Sequence, residues 1–210
     1  MQNEMGVLAF RFSFTHMDAF DHLRNKVNEL SLMSEGEWDD FSSRWTQKTL
    51  KKGEFIIKPG KIERYFYFVH SGVMRAFVLI NGVEVSVGFS YDGDFSGAYD
   101  SFLDQKPSDW NIQTISEVEI LRIGFKDLMD MFDRYKSLER WGRIFNAQAL
   151  IGMGRRQVEV RSFSAEERFD RLFNQSPHIF QLVPQKYLAS YLGMTPETFS
   201  RMRKQRMGKD

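Results

Sequence analysis

The chain has 210 residues, 42% of them hydrophobic, enough for one large packed domain or two small ones. A net charge of +1 excludes a global electrostatic pull on nucleic acid, so any such attraction has to be local. The sequence contains no cysteine, which excludes disulfides, thiolate nucleophiles, Cys-bound zinc and Cys-ligated iron–sulfur clusters.

Residues 1–16, MQNEMGVLAFRFSFTH, have no basic n-region and only a short apolar stretch, which does not read as a secretory signal. Met17-Asp18-Ala19-Phe20 reads as a natural start, leaving 1–16 as an extension. No apolar run approaches the length of a membrane span, so no membrane partner is expected, and the absence of cysteine fits a cytoplasmic protein. From Met17 to Lys48 the spacing is helical. Phe20, Leu23, Val27 and Leu30 recur at three and four residues, and Ser34 with Glu37 makes a capping box before Trp38, Phe41 and Trp45. From Thr49 the period changes to two. Short runs such as Phe55-Ile56-Ile57, 65–69, 73–79, 83–89, 112–115 and 118–123 are bounded by Pro59-Gly60, Ser71-Gly72, Asn81-Gly82, Asp92-Gly93 and Pro107-Ser108-Asp109. Asn81-Gly82 is the sharpest hairpin signal. Strands at this spacing predict an antiparallel sandwich or barrel-like roll.

After Gly124 the pattern is helical again. Leu128, Met131 and Phe132 belong to a short helix, and Leu138, Trp141, Phe145 and Gln148 lie along one face of a longer one that runs to about Gln157. A lone helix joining two domains must hide those rings, so these four residues are the expected seam of a homodimer. Gly152 and Gly154 within it cost roughly 1 kcal/mol each against Ala, so they mark a hinge or a close helix–helix approach. Arg155-Arg156 reads as a solvated pair. Ser164 and Glu167 cap a further helix bearing Phe169, Leu172 and Phe173.

The stretch Val183–Lys204, VPQKYLASYLGMTPETFSRMRK, has the spacing of a helix-turn-helix. With Gln185 as its first position, Ala189 is the fifth, where the helices touch, and Gly193 is the ninth, at the turn, where φ > 0 is needed. Leu188, Leu192, Met194, Phe199 and Met202 form the apolar set. Thr195-Pro196 opens the second helix as an N-cap followed by Pro at N1. Its outward polar residues, Glu197, Thr198, Ser200, Arg201 and Gln205, can reach base edges. Between Pro196 and Lys209 five cations (Arg201, Arg203, Lys204, Arg206 and Lys209) face one carboxylate, Glu197, a local footprint for phosphate. The four histidines, His16, His22, His70 and His178, show no metal-ligand spacing, and His70 reads as a turn or strand-end residue. No carboxylate–His–Ser constellation is readable, so no catalytic residue, metal or cofactor is assigned and no enzyme is expected.

This order of elements resembles the cAMP receptor protein/fumarate–nitrate regulator (Crp/Fnr) family of bacterial transcription factors, and most of all its divergent members from Bacteroidetes-type bacteria. The resemblance rests on L-K-K-G-E-F-I-I-K-P-G from Leu50, Y-F-Y-F-V-H-S-G-V-M-R from Tyr65, the Asp94–Ile120 segment and the helix-turn-helix. It implies an α+β fold, a cyclic-nucleotide-binding-like antiparallel β-roll (jelly roll) with a long dimerisation helix and a C-terminal helix-turn-helix domain. The implied division is an extension over 1–16, a sensor over 17–135, a dimerisation helix over 136–160 and a DNA-binding domain over 161–210. In the phosphate-binding segment this sequence departs from the cAMP-binding pattern. Ala98 stands where the resemblance implies a ribose-binding Glu, and Ser108, followed by Asp109, stands for a phosphate-binding Arg. Losing the guanidinium removes charge-assisted bonds, so cAMP is not expected to bind. Gly97, Ala98, Tyr99, Ser108, Asp109 and Trp110 remain as a possible pocket for another effector.

The expectation is a sequence-specific DNA-binding regulator of transcription, with Thr195, Glu197, Thr198, Ser200, Arg201, Arg203, Lys204 and Arg206 at the DNA. Its partners would be double-stranded DNA carrying an inverted-repeat operator, a second copy of the chain, and RNA polymerase. The alternative is a signalling or interaction protein with a degenerate roll.

Overall fold

A computed structural model describes residues 17–207; the N-terminal extension and Lys209 lie outside them. Two short helices come first, α1 (Ala19–Asn28) and α2 (Glu35–Ser43). Eight strands follow: β1 (Thr46–Leu50), β2 (Phe55–Ile57), β3 (Tyr65–Ser71), β4 (Met74–Ile80), β5 (Val83–Ser90), β6 (Phe95–Ser96), β7 (Asn111–Thr114) and β8 (Val118–Gly124), with a one-and-a-half-turn helix α3 (Tyr99–Asp104) after β6. Six helices close the chain: α4 (Phe125–Arg134), α5 (Lys136–Ser162), α6 (Ala165–Gln175), α7 (Ile179–Leu182), α8 (Gln185–Leu192) and α9 (Pro196–Met207). The strands form two four-stranded sheets, ordered β1-β8-β3-β6 and β2-β7-β4-β5, the two layers of a roll.

Several local signals act as the spacing predicts. Ser34 and Ser164 each accept from the N3 backbone while Glu37 and Glu167 reach back, completing both capping boxes. At the β4–β5 turn Asn81 has φ 52 and Gly82 φ 79, the two successive positive angles of a type I′ hairpin. Two expectations change. The helical spacing read as far as Lys48 ends at Ser43, and residues 46–48 already belong to strand β1. Thr46 to Thr49 are all exposed, so β1 carries no apolar alternation to announce it, and only its pairing with β8 makes it a strand. The long helix runs unbroken through Gly152 and Gly154 to Ser162.

The chain divides into two compact units: residues up to Arg75 with Phe89–Ala147, and Ala76–Gly88 with Gln148 onward. In the first, strict alternation splits β3 and β8. Phe66, Phe68, Leu121 and Ile123 pack outward against Leu23, Val27, Phe41, Leu128, Met131 and Leu138 of the helices. Tyr67, Val69 and Ile120, also buried, point the other way, into the roll. Trp141 is 1% exposed in the outer core, its ring 5.3 Å from Phe145 and 5.2 Å from Phe95. Leu138 is fully buried there too. Both are therefore core residues of one protomer, not a seam awaiting a partner. The tension between an amphipathic helix and its exposed rings is resolved inside the chain. His70 is buried within β3, its Nδ1 3.2 Å from Nδ1 of His22. Burial, and then the facing His70, lower the His22 pKa to about 4, so the His22 imidazole is neutral at neutral pH.

In the second unit the core is a stack of phenylalanines. Phe169, Phe180 and Phe199 meet at 5.3 to 5.7 Å, joined by Leu188, Leu192 and Val183.

Candidate nucleic-acid interface

The interface is built on α8 and α9. Ala189 is fully buried where the two helices cross, leaving no room for a larger side chain. Gly193 ends α8 with φ 69 and ψ 39, the left-handed C-cap that only glycine adopts freely. Added space is not the obstacle, since a Cβ there would meet Arg168 Nη2 at an ordinary 3.5 Å. Gly193→Ala should therefore cost only the left-handed penalty, about 1–2 kcal/mol of stability in urea denaturation. An unchanged midpoint would show that the turn relaxes to another conformation.

Two arginines hold this turn from behind. Arg156 Nη2 donates to the Tyr191 carbonyl at 2.8 Å, its guanidinium lies 4.0 Å from the Tyr191 ring, and Nη1 pairs with Glu159 at 2.6 Å. Arg168 Nε donates to the Leu192 carbonyl at 3.0 Å. The last carbonyls of α8, which have no helical partner, are thus satisfied by cations at the negative end of its dipole. Arg156 is not the solvated residue that its neighbour Arg155, which is exposed, suggests. Ser190 adds a contact with no sequence signal: its Oγ accepts from the Ser86 N–H at 3.0 Å and lies 3.2 Å from the Glu84 carbonyl.

The N-terminus of α9 is capped by Thr195, whose Oγ1 accepts from the Thr198 N–H at 3.2 Å. Thr195 and Thr198 thus serve the helix start as well as its surface. Pro196, Glu197, Ser200, Arg201, Lys204 and Gln205 line one shallow concavity, the face recurring every three and four residues. Glu197, Arg201 and Lys204 are exposed on it, while Phe199 and Met202 turn inward. The backbone N–H of Glu197 itself, and then Thr195, hold the Glu197 carboxyl below its usual range, so it is ionised at neutral pH. Arg203 is half-buried. Arg206 departs from expectation. Its Nε and Nη2 bond Asp170 at 2.7 and 2.8 Å, and Nη2 also reaches Glu166 at 3.0 Å. That bidentate fork ties α9 to α6 and neutralises the cation, so Arg206 is a structural residue and not a phosphate contact.

The six expected effector residues do not gather around one opening. Ala98 and Ser108 are buried; Ser108 Oγ accepts from the Trp110 N–H, and the Trp110 indole donates to Asp100 at 2.8 Å. The Tyr99 hydroxyl donates to Asn146 Oδ1 at 3.0 Å, with its ring against Phe66 and Phe145. Asp109 is exposed. Gly97 lies under Tyr67, whose ring is 3.3 Å from where a Cβ would stand. None of the six lines the concavity at the mouth of the roll, which is bordered by β2, the β2–β3 loop, β3 and Arg122.

Residues 47–135 match the family model of the cyclic nucleotide-binding domain. Solved structures with similar folds include FixK2 from Bradyrhizobium japonicum, 20% identical over 79% of this chain and 85% of that one, with a TM-score of 0.69. The c-di-GMP responsive global regulator CLP from Xanthomonas campestris is 18% identical over 83% of this chain and 92% of its own, with a TM-score of 0.64. A chain from Eubacterium rectale assigned to the Crp/Fnr family of transcriptional regulators is 15% identical over 84% and 85%, with a TM-score of 0.63. No curated protein matches the sequence. The roll thus matches the cyclic nucleotide-binding domain in sequence as well as in fold. The chain has the fold of the Crp/Fnr regulators, from the roll to the C-terminal helices.

Proposed function

We propose that the chain is a dimeric, sequence-specific DNA-binding regulator of transcription. The observation that carries this reading is the exposed face of α9, where Glu197, Arg201 and Lys204 converge on one concavity behind a capped, arginine-braced turn. Arg201 suits the O6/N7 edge of guanine and Glu197 accepts from cytosine N4. Thr195, Thr198 and Ser200 add short polar contacts, and Lys204 with Arg203 supplies phosphate attraction. The Glu-x-x-Ser-Arg pattern favours a TTGA-like half-site. Selecting bound sequences from a random DNA pool with the purified protein tests this directly. The expected result is an inverted repeat with half-sites about one helical turn apart, bound with a steep salt dependence. Recovery of no sequence would favour the interaction-protein reading instead. A regulator of this kind works in the cytoplasm with RNA polymerase as its further partner.

The dimer seam belongs further along α5 than Trp141. Leu150, Ile151 and Val158 are 71%, 53% and 58% exposed, and with Gly154 they recur at three- and four-residue spacing. A Cβ added at Gly152 or Gly154 would meet nothing, which suits the close approach of a second helix. Phe145, half-buried, and Gln148, exposed, remain at the near end of that stripe. Ile151→Asp should leave a folded monomer at micromolar concentration by light scattering; a persistent dimer would place the seam elsewhere.

The roll lacks the chemistry for 3′,5′-cyclic AMP. The buried Ala98 offers no carboxylate for a ribose hydroxyl, and Ser108 spends its hydroxyl on Trp110. Calorimetry with cyclic AMP is expected to show no saturable heat; micromolar affinity would mean that other residues bind it.

A further inference from the structure

The mouth of the roll holds a group of charges that the DNA-binding reading does not use. Lys58, Lys61, Arg64 and Arg122 border a concavity of about 360 Å³, within the range of small-molecule sites. Among the described residues none of the four has an acidic partner in ion-pair contact. Each instead leans on something neutral or stands free. Arg122 lies 4.3 Å over the Tyr65 ring with Nε 3.2 Å from Thr46 Oγ1, and Lys58 lies 4.4 Å from the Phe55 ring. Four like charges gathered around one hollow repel one another, a cost relieved when an anion enters.

Deeper in the same hollow is Glu63, only 3% exposed. Its Oε1 accepts from the Tyr67 hydroxyl at 3.1 Å and from the Tyr65 N–H at 3.2 Å. Its Oε2 is buried without a hydrogen-bond partner. A buried carboxylate oxygen left unpaired costs free energy, and a donor supplied from outside recovers it. Burial pushes the Glu63 carboxyl above its usual range in spite of the Tyr65 and Tyr67 donors. The flanking Phe55, Tyr65 and Tyr67 rings offer flat apolar surface between rim and floor.

We propose that the mouth of the roll is a receptor for a small organic dianion, a phosphomonoester or a dicarboxylate, that also carries a hydroxyl or amino donor. The dianion sits among the four rim cations, the body of the ligand lies along the aromatic rings, and its donor reaches Glu63 Oε2. A cyclic phosphodiester, with a single negative charge, is a poorer match to such a rim.

The site is tested by calorimetry on the free protein, so its failure leaves the DNA-binding reading standing and the reverse also holds. The probes are adenosine 5′-monophosphate, malate and inorganic phosphate. At least one of the two organic anions should bind saturably, one per chain, at least tenfold tighter than inorganic phosphate; which of them binds separates phosphate from carboxylate recognition. The double variant Lys58→Ala/Lys61→Ala, on exposed positions, should lose at least tenfold in affinity while keeping its circular dichroism spectrum. Glu63→Gln should shrink the advantage of the organic ligand over inorganic phosphate, because the charge that orients the donor is gone. Absence of saturation with both organic anions at millimolar concentration overturns the proposal. So does unchanged affinity in the double lysine variant, or an unchanged ligand preference in Glu63→Gln.

Discussion

Replacing Arg201 by alanine should weaken binding to the selected operator by about 5- to 150-fold per half-site, the loss of roughly 1–3 kcal/mol that one bidentate base contact carries. The side chain is exposed on the concave face of α9, and its neighbour Phe199 is fully buried, so the helix stays docked when Arg201 is shortened. Discrimination at one base pair should relax while the salt dependence changes little. Lys204→Ala should do the opposite: weaken all sequences alike and flatten the slope of affinity against salt by about one unit. The contrast between the two variants, measured by titration against operator and scrambled DNA, is the decisive reading. Should Arg201→Ala lower affinity equally for every DNA, α9 would be docked so that Arg201 meets phosphate. Arg206→Ala should behave like neither, because its charge is already spent on Asp170 and Glu166. Its effect should appear in thermal unfolding of the C-terminal unit.

Trp141→Ala is expected to cost about 3–5 kcal/mol of stability, the range for removing a large ring from a well-packed core. The ring is 1% exposed and touches Phe95, Phe145 and Phe132, so its removal leaves a cavity that those rings cannot all collapse to fill. Urea denaturation followed by far-ultraviolet circular dichroism should show an earlier midpoint. The protein that remains folded should still be dimeric by light scattering, because the proposed seam lies toward Ile151. Dissociation to monomers with an unchanged midpoint would return Trp141 to the subunit interface.

Signals that depend on one residue's own geometry were legible. The glycine at the α8–α9 turn, the Asn-Gly hairpin and the two Ser–Glu capping boxes each state a local conformation that no distant contact can easily replace. The outward polar residues of α9 follow from helical period once Ala189 and Gly193 fix the register. Strand β1 was not legible, because four exposed residues carry no alternation and its conformation is imposed by β8. Nor could the fate of a charge be read from the chain. Arg156, Arg203 and Arg206 look alike in the sequence, yet Arg156 caps α8 and Arg206 is consumed by two carboxylates forty and thirty-six residues away. The same holds for aromatic rings on an amphipathic helix. Period shows that Trp141 and Leu138 need a partner surface, but says nothing of whether that surface is a second copy or the roll itself.

By itself, then, the sequence determined a helix–roll–helix order, the helix-turn-helix register and the absence of thiol chemistry, since these rest on backbone preference and composition. Only the tertiary structure decided which cations are free. It pairs Arg206, leaves Lys58, Lys61, Arg64 and Arg122 around the roll's mouth with no acidic partner among the described residues, and buries Glu63 beneath them, because electrostatic partners are chosen by proximity in space and not along the chain.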